Sequence, residues 1–144
     1  MSICRIEEAI WKLLTSASSV TDIVGTRIHH DAAQIDDTFP VAVVMVQRTV
    51  PVRNLSATVG VAVSTIEIVG VAESRTDAHD LGEAIRKTLD NYHGTVTLTD
   101  GDTCFIHCIA VDHGLAVRQQ APDGNDIGLS SAYQTFTLTH ELGV

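Results

Sequence analysis

The densest group of potential metal ligands in the sequence is Cys104-Phe105-Ile106-His107-Cys108. Cysteine sulfur and histidine nitrogen are preferred ligands of zinc. On a β-strand, however, successive side chains point to opposite faces, so Cys104 and Cys108 share one face while His107 lies on the other. The three groups then cannot meet at one ion, and we predict no metal site here. The chain has three cysteines without C-x-x-C spacing, and we expect them to be reduced and mostly buried.

Histidines near carboxylates are the next candidates for chemistry. His29, His30 and Asp31 are consecutive, but neighbouring strand residues face opposite ways, and no nucleophile lies at a recognisable motif distance. A small cytoplasmic enzyme or ligand-binding domain would instead have to bring His107, His113 and nearby acids together in a pocket. The sequence leaves that alternative open.

Two pairs of carboxylates, Asp36-Asp37 and Asp100-Gly101-Asp102, are of a type that binds hard cations. Both lie in short polar segments, where aspartate is favoured because its side chain hydrogen-bonds the turn backbone, and we interpret them as turns. The ten glycines form neither G-x-G-x-x-G nor G-x-x-x-x-G-K-[ST], the loops that cradle nucleotide phosphates. We therefore predict no catalytic residue, no metal and no cofactor.

The composition is that of an ordinary globular protein. With 144 residues, 44% of them apolar, the chain has the size of one domain, residues 1–144. It has no apolar run long enough for a membrane span, and its first residues lack the basic head and apolar stretch of a signal peptide. The formal net charge of −9 argues against a surface that binds the phosphates of nucleic acids, because such a surface needs clustered Lys and Arg.

The charges are segregated along the chain. From Asp100 to the C-terminus there are six acids and one base, Arg118, whereas residues 38–66 contain no acid and only Arg48 and Arg53 as bases. Separate acidic and mildly basic regions allow copies of one chain to pair head to tail. This pattern favours self-association over DNA binding.

Two helices are predicted from the spacing of apolar residues. The first lies between Ile3 and Thr15, and a short turn after it ends at Gly25. The second has Thr76 as its N-cap, runs from Asp77 to Tyr92 and is terminated by Gly94. Both present one apolar stripe, so we expect them to pack on one face of a sheet.

Segments rich in β-branched or alternating residues predict the strands. The predicted extended segments are Arg27 to His30, Val41 to Arg48, Val59 to Ala72, Thr95 to Thr99, Thr103 to Val111 and Ala132 to Thr139. The polar stretches Asp31 to Pro40 and Gln119 to Gly128 are predicted loops. This order of elements predicts an α+β fold, in which a mainly antiparallel sheet carries two helices on one face.

The connection Thr49 to Thr58 is longer than a tight hairpin needs and contains a proline and several apolar residues. It is therefore predicted to project as an arm or as an extended β-hairpin. Projecting apolar segments commonly meet a partner. The candidate subunit-interface residues are Arg48, Val50, Val52, Arg53 and Leu55.

Several signatures follow one another in a fixed order. They are the N-terminal amphipathic helix, Ile23-Val24-Gly25 followed by Arg27-Ile28, Phe39-Pro40 before a Val-rich strand, a long strand ending in Gly70-Val71-Ala72, and the helix that closes at Gly94. In this order they resemble the tail-completion family of tailed phages and prophages, relatives of the tail terminators. The resemblance extends from about Glu7 to the last strand.

The resemblance implies a subunit that assembles as a homo-oligomer, a hexameric ring at the head-proximal end of the tail tube. Such a ring ends tube polymerisation and joins the tail to the head connector or stopper protein, while DNA passes through without specific binding. The implied location is the virion tail or neck, after synthesis in the host cytoplasm, with no membrane partner.

Within such a ring, acidic turns would face the lumen or a neighbouring copy, where their charge keeps passing DNA from sticking. The candidate acids are Asp36, Asp37, Asp100, Asp102, Asp123 and Asp126. Another neck or tail-tube role shares most of these features, and it stands as an alternative beside the small enzyme or ligand-binding domain.

Overall fold

The structure, a computed structural model, describes residues 6–25, 27–30, 39–53, 58–99, 101, 103–113, 117–120 and 126–141. For residues 30, 53, 58, 59, 113, 117–120, 126–129 and 141 it describes the backbone alone. The elements in chain order are α1 (Ile6–Ser16), α2 (Ser18–Val24), β1 (Ile28–His30), β2 (Val41–Arg53), β3 (Thr58–Ala72), α3 (Arg75–Leu89), β4 (Tyr92–Thr97), β5 (Thr103–His113), β6 (Val117–Gln120) and β7 (Asp126–Glu141).

The strands form one mixed, seven-stranded sheet. Its order is β1-β2-β3-β7-β5-β4, with β6 paired to β7 off this path. β1 runs parallel to β2, and the other described pairings are antiparallel. The predicted α+β class is confirmed, with a parallel pair at one edge and three helices where two were predicted.

The main apolar core contains one face of this sheet together with residues of all three helices. Ile66 of β3 lies opposite Phe136 of β7, and both are fully buried. Ile10 of α1 and Leu81 and Ile85 of α3 belong to the same cluster. Each fully buried side chain of this size contributes about 1.5–3 kcal/mol, so this face dominates the stability of the fold.

The N-terminal helices differ from the prediction. The helix predicted from Ile3 to Thr15 is observed as α1, and its predicted first residues lie outside the described part of the chain. The short turn that was predicted next is the separate helix α2. Gly25 ends it with a φ of 59°, and its N–H donates to the carbonyl of Thr21 at 2.8 Å. The predicted stop at Gly25 is confirmed.

Helix α3 begins and ends earlier than predicted. Its N-cap is Ser74 rather than Thr76, and the Ser74 hydroxyl accepts the backbone N–H three residues ahead at 3.0 Å. Leu89 is its last residue, because Asn91 adopts a φ of 60° and turns the chain away. Tyr92, predicted as helical, is instead the first residue of β4.

The predicted strands are present. β1 begins one residue later than predicted, β4 begins and ends earlier than the predicted Thr95 to Thr99, and the other four are longer than predicted. β2 continues through the predicted arm to Arg53, and β3 starts at Thr58, so most of that segment is an extended β-hairpin, while residues 54–57 lie outside the described part. Pro51 is tolerated because no described strand pairs with the other edge of β2 beyond Val44. β6 and the early start of β7 occupy part of the predicted loop Gln119 to Gly128, because pairing with neighbouring strands overrides local turn preference.

The described helices are short. α3 is the longest of them at 15 residues, and none within the described ranges is long and apolar enough to cross a membrane.

Helix α3 lies very close to the sheet at Gly70. A Cβ atom added to this residue would lie 2.8 Å from Cδ2 and 2.9 Å from Cγ of Leu81, which is fully buried. A methyl group does not fit there unless Leu81 or the helix moves, and a well-packed interior resists such movement.

We therefore expect Gly70→Ala to destabilise the protein by about 1–3 kcal/mol, measured as a lower midpoint of urea unfolding. Thr65→Ala, on the opposite face of the same strand, is the matched control and should cost less than about 1 kcal/mol. Equal losses in the two variants would contradict a tight contact between Gly70 and Leu81.

Candidate interaction surface

The face of the sheet opposite the core carries a group of large apolar side chains that remain exposed. Alternation places Cys104, Ile106 and Cys108 of β5 in the core, so the residues between them point outward. Among the residues whose side chains the structure describes, the large apolar ones that stay 36% to 56% accessible are Val50, Val52, Phe105, Ile109, Val111 and Tyr133. We call this group the outer patch.

Four residues of the outer patch form two separate parts, and its other members are Val111 of β5 and Tyr133 of β7. Val50 and Val52 lie on β2, whereas Phe105 and Ile109 lie on β5, with β3 and β7 between them. Neighbouring strands are about 4.8 Å apart, so the two parts are separated by about 14 Å across the sheet. Between them, Thr139 of β7 separates the partly buried Val63 from His107 of β5.

The residues predicted for a subunit interface are exposed where the structure describes them. Arg48 is exposed, and Val50 and Val52 are 44% and 38% accessible. The backbone of Arg53 pairs with Thr58, and its side chain is outside the described atoms. Leu55 lies outside the described residues. Exposure is what an interface requires, and the interface itself stays a prediction.

The predicted acidic turns fall almost wholly outside the described structure. This holds for Asp36, Asp37, Asp100, Asp102 and Asp123. Asp126 is the first residue of β7, and its backbone pairs with Gln120 while its side chain is not described. Their pairing with arginines of another copy therefore stays a prediction.

Phe105, Ile109 and Tyr133 did not figure among the predicted interface residues. The segment Cys104 to Val111 is apolar on both strand faces, and it was predicted only as part of the extended segment Thr103 to Val111. That segment could have indicated an exposed apolar surface. A chain of this length with two predicted helices covers one sheet face more readily than two, so apolar side chains on the other face stay exposed.

The alternative enzyme site does not form from His107 and His113. They are six residues apart on β5, and an extended strand of that length spans about 20 Å. Side chains so far apart cannot act on one reacting group, so this part of the alternative is wrong.

The structure also brings together a Ser–His pair that was not predicted from the sequence. Ser64 Oγ lies 2.7 Å from His140 Nε2, and the Thr49 hydroxyl lies 2.7 Å from Ser64 Oγ. A serine bonded to histidine is the arrangement of an activated nucleophile. Ser64, however, is 0% accessible and faces the core, so a substrate cannot reach its hydroxyl. We interpret the bond as structural, because buried polar groups need partners.

Replacing Ser64 with alanine should cost about 1–3 kcal/mol, because His140 loses this bond inside the fold. The measurement is the free energy of unfolding in urea. Thr49→Ala is the comparison, and its effect should be smaller because Thr49 is exposed and water can replace its hydroxyl. An unchanged Ser64→Ala protein would contradict a structural role for the pair.

The cysteines depart in part from expectation. Cys104 is disulfide-bonded, so the prediction of reduced cysteines is wrong for this residue. Disulfide formation depends on the distance between two cysteines in space, which their spacing in the sequence does not reveal. Cys108 is free and buried. Burial, and then the carboxylate of Asp90, raise the pKa of its thiol to about 12. Within the described residues no group of three or more His, Cys, Asp and Glu is placed to hold a metal ion.

We expect Cys108 to resist alkylation by iodoacetamide in the folded protein at pH 8. A thiol pKa of about 12 instead of 9.0 lowers the reactive thiolate population by about a thousandfold. Mass spectrometry of the peptide that contains Cys108 measures the labelling, and the same protein unfolded in urea is the control. Rapid labelling of the folded protein would contradict the burial of this thiol.

Two of the sequence signatures meet at the entry to the sheet. The Arg27 side-chain Nε donates to the carbonyl of Pro40 at 2.9 Å, and the N–H of Ala42 donates to the carbonyl of Arg27 at 3.0 Å. The Phe39–Pro40 peptide bond is cis. The signatures Arg27-Ile28 and Phe39-Pro40 thus join β1 to β2, and their role is structural.

Residues 8–105 match the family described as "Tail completion protein gp17". The chain belongs to the tail completion protein gp17 family. The match runs from α1 into β5, which is more than half of the chain, and it confirms the resemblance inferred from the signatures. No curated protein sequence matches the chain significantly.

The fold is also similar to that of a chain in a solved structure titled "Virion of native gene transfer agent (GTA) particle". The TM-score is 0.60 at 14% sequence identity, and the similarity covers 92% of each chain. At this identity the likeness concerns the fold alone.

Membership in the tail completion family makes the chain a structural tail protein of a phage-type virion. Such a family is not typically enzymatic. The functional site is therefore best sought in the surfaces of the sheet.

Proposed function

We propose that this tail completion protein acts as a ring at the head-proximal end of the tail tube, where it stops tube polymerisation and joins the tail to the head connector. The observation that carries the proposal is the family match over residues 8–105, together with a sheet that leaves large apolar side chains exposed on one face. Family membership supports a role in completing the tail. The outer patch supplies a surface for contacts between subunits.

A closed ring requires two different complementary surfaces on each subunit, because each copy contacts the next head to tail. The outer patch has this form. Val50 and Val52 lie toward one edge of the sheet, and Phe105 and Ile109 lie one strand from the other edge. We propose that the β2 part of one copy packs on the β5 part of the next, which buries both from water.

Opposite charges would set the orientation of this contact between copies. Arg48 is exposed beside the β2 part, and in the proposed ring Arg48 and Arg53 approach acids of the next copy. The acids belong to the set Asp100, Asp102, Asp123 and Asp126. Pairs of this kind set orientation and association rate more than affinity, and salt weakens them.

The proposed ring is a hexamer with DNA passing through its centre. A net charge of −9 for each copy suits a lumen that does not retain the DNA backbone, since like charges repel. The proposed partners are the tail-tube protein on one side and the connector or stopper protein on the other. In the proposal the protein resides in the host cytoplasm until it joins the virion.

The test is the solution mass of the purified protein over a range of concentrations, alone and with tail tubes, with negative-stain images of large species. Val50→Glu should weaken ring formation by about tenfold or more, because it places a carboxylate in an apolar contact. Arg53→Glu should also weaken the ring, by removing an attractive charge. Thr76→Glu, on the exposed first turn of α3, is the matched control and should assemble normally.

A protein that stays monomeric and binds no tube would overturn the proposal, as would a ring unaffected by both Val50→Glu and Arg53→Glu. Open-ended tubes in the images would favour a tail-tube subunit instead. Circular dichroism of each variant separates loss of assembly from loss of fold.

A further inference from the structure

Two histidines are directly opposed on the outer face of the sheet, at its β4 edge. His93 of β4 and His107 of β5 are partners in the antiparallel ladder. Their rings contact each other with centroids 5.9 Å apart and planes inclined at 79°. His93 is exposed and His107 is half-buried, so solvent reaches the pair.

A backbone carbonyl orients the His93 ring. Its Nδ1 lies 3.3 Å from the carbonyl oxygen of Asn91, and a carbonyl only accepts hydrogen bonds, so Nδ1 carries the hydrogen. The lone pair of the neutral ring is then on Nε2. Metal-binding histidines commonly have this arrangement, in which one ring nitrogen donates to a carbonyl and the other coordinates.

The His107 ring can supply a second nitrogen ligand beside that of His93. Within the described part of the chain this ring makes no hydrogen bond, and it contacts the ring of His93. Either of its nitrogens is therefore available as a ligand. Cys104 and Cys108 point into the core from the same strand and take no part.

We propose that His93 and His107 together bind a divalent transition-metal ion of the class that prefers imidazole, such as zinc. Zinc–nitrogen bonds of about 2.0–2.1 Å in a tetrahedral arrangement would place the two ring centroids about 5 Å apart. The observed 5.9 Å comes within reach of this value after small rotations of the side chains. Water completes the coordination.

The backbone holds the two ligands in place. β4 and β5 pair without a register shift from Tyr92 opposite Cys108 to Thr97 opposite Thr103. Cross-strand partners on one face have Cβ atoms about 4.5–5.5 Å apart, which leaves room for one ion between two rings. A site on paired strands needs little reorganisation on binding.

The ligand set selects the class of ion. Imidazole nitrogen suits zinc, nickel and copper, whereas magnesium and calcium prefer oxygen ligands. Both ligands belong to one subunit, so binding needs no second copy of the chain, although His107 lies between Phe105 and Ile109 on β5 and the proposed ring contact would cover it.

The experiment is calorimetric titration of the full chain with zinc chloride in a non-coordinating buffer. The expected result is one saturable site per chain in the wild type and in His79→Gln, which removes a lone exposed histidine on α3. His93→Gln and His107→Gln should each weaken binding by roughly tenfold or more. Magnesium chloride should give no saturable binding.

Two results would overturn the inference: no saturable zinc binding by the wild type, or binding by both ligand variants as tight as that of His79→Gln. Circular dichroism checks the fold of each variant. His93 is exposed on the edge strand, so His93→Gln decides the outcome if His107→Gln does not fold.

Discussion

The register between β3 and β7 governs the rest of this structure. Twelve consecutive residue pairs, from Val61 opposite Glu141 to Ala72 opposite Ser130, join the two central strands without a bulge. A slip of one residue would turn every buried side chain of a strand to the outer face. Ile66, Phe136 and Leu138 therefore reach the core only in this register, and α3 can approach Gly70 only while that face is inward.

This constraint also determines where function can lie. The core-face side chains of β3 from Ala62 to Ala72 and of β7 from Ala132 to His140 are buried. They include Ser64 and His140, a pair that has the composition of a catalytic dyad but no access for a substrate. Side chains on the outer face alternate with them and stay available. The outer patch and the two opposed histidines both lie on that face.

The ends of the sheet differ from its centre. Ladder irregularities occur between Val46 and Arg48 and between Pro51 and Arg53 in β2, and between Ala110 and Asp112 in β5. Bulges of this kind increase local twist and change the direction of side chains. They fall in the two strands that carry the separated parts of the outer patch, whereas the β3–β7 pairing has none.

Local patterns in the sequence determined the α+β class, the stripe of α1, the stop at Gly25 and the existence of most strands, because helix periodicity, strand alternation and glycine conformation act over a few residues. The family resemblance followed from the order of these elements. The tertiary structure alone decided that Tyr92 belongs to a strand, that β7 begins at Asp126, that Cys104 is disulfide-bonded, and that Ser64 meets His140 and His93 meets His107. Each of these depends on which distant segments pair and in which register. The free energy that favours one pairing and register comes from burial and hydrogen bonding summed over the whole sheet.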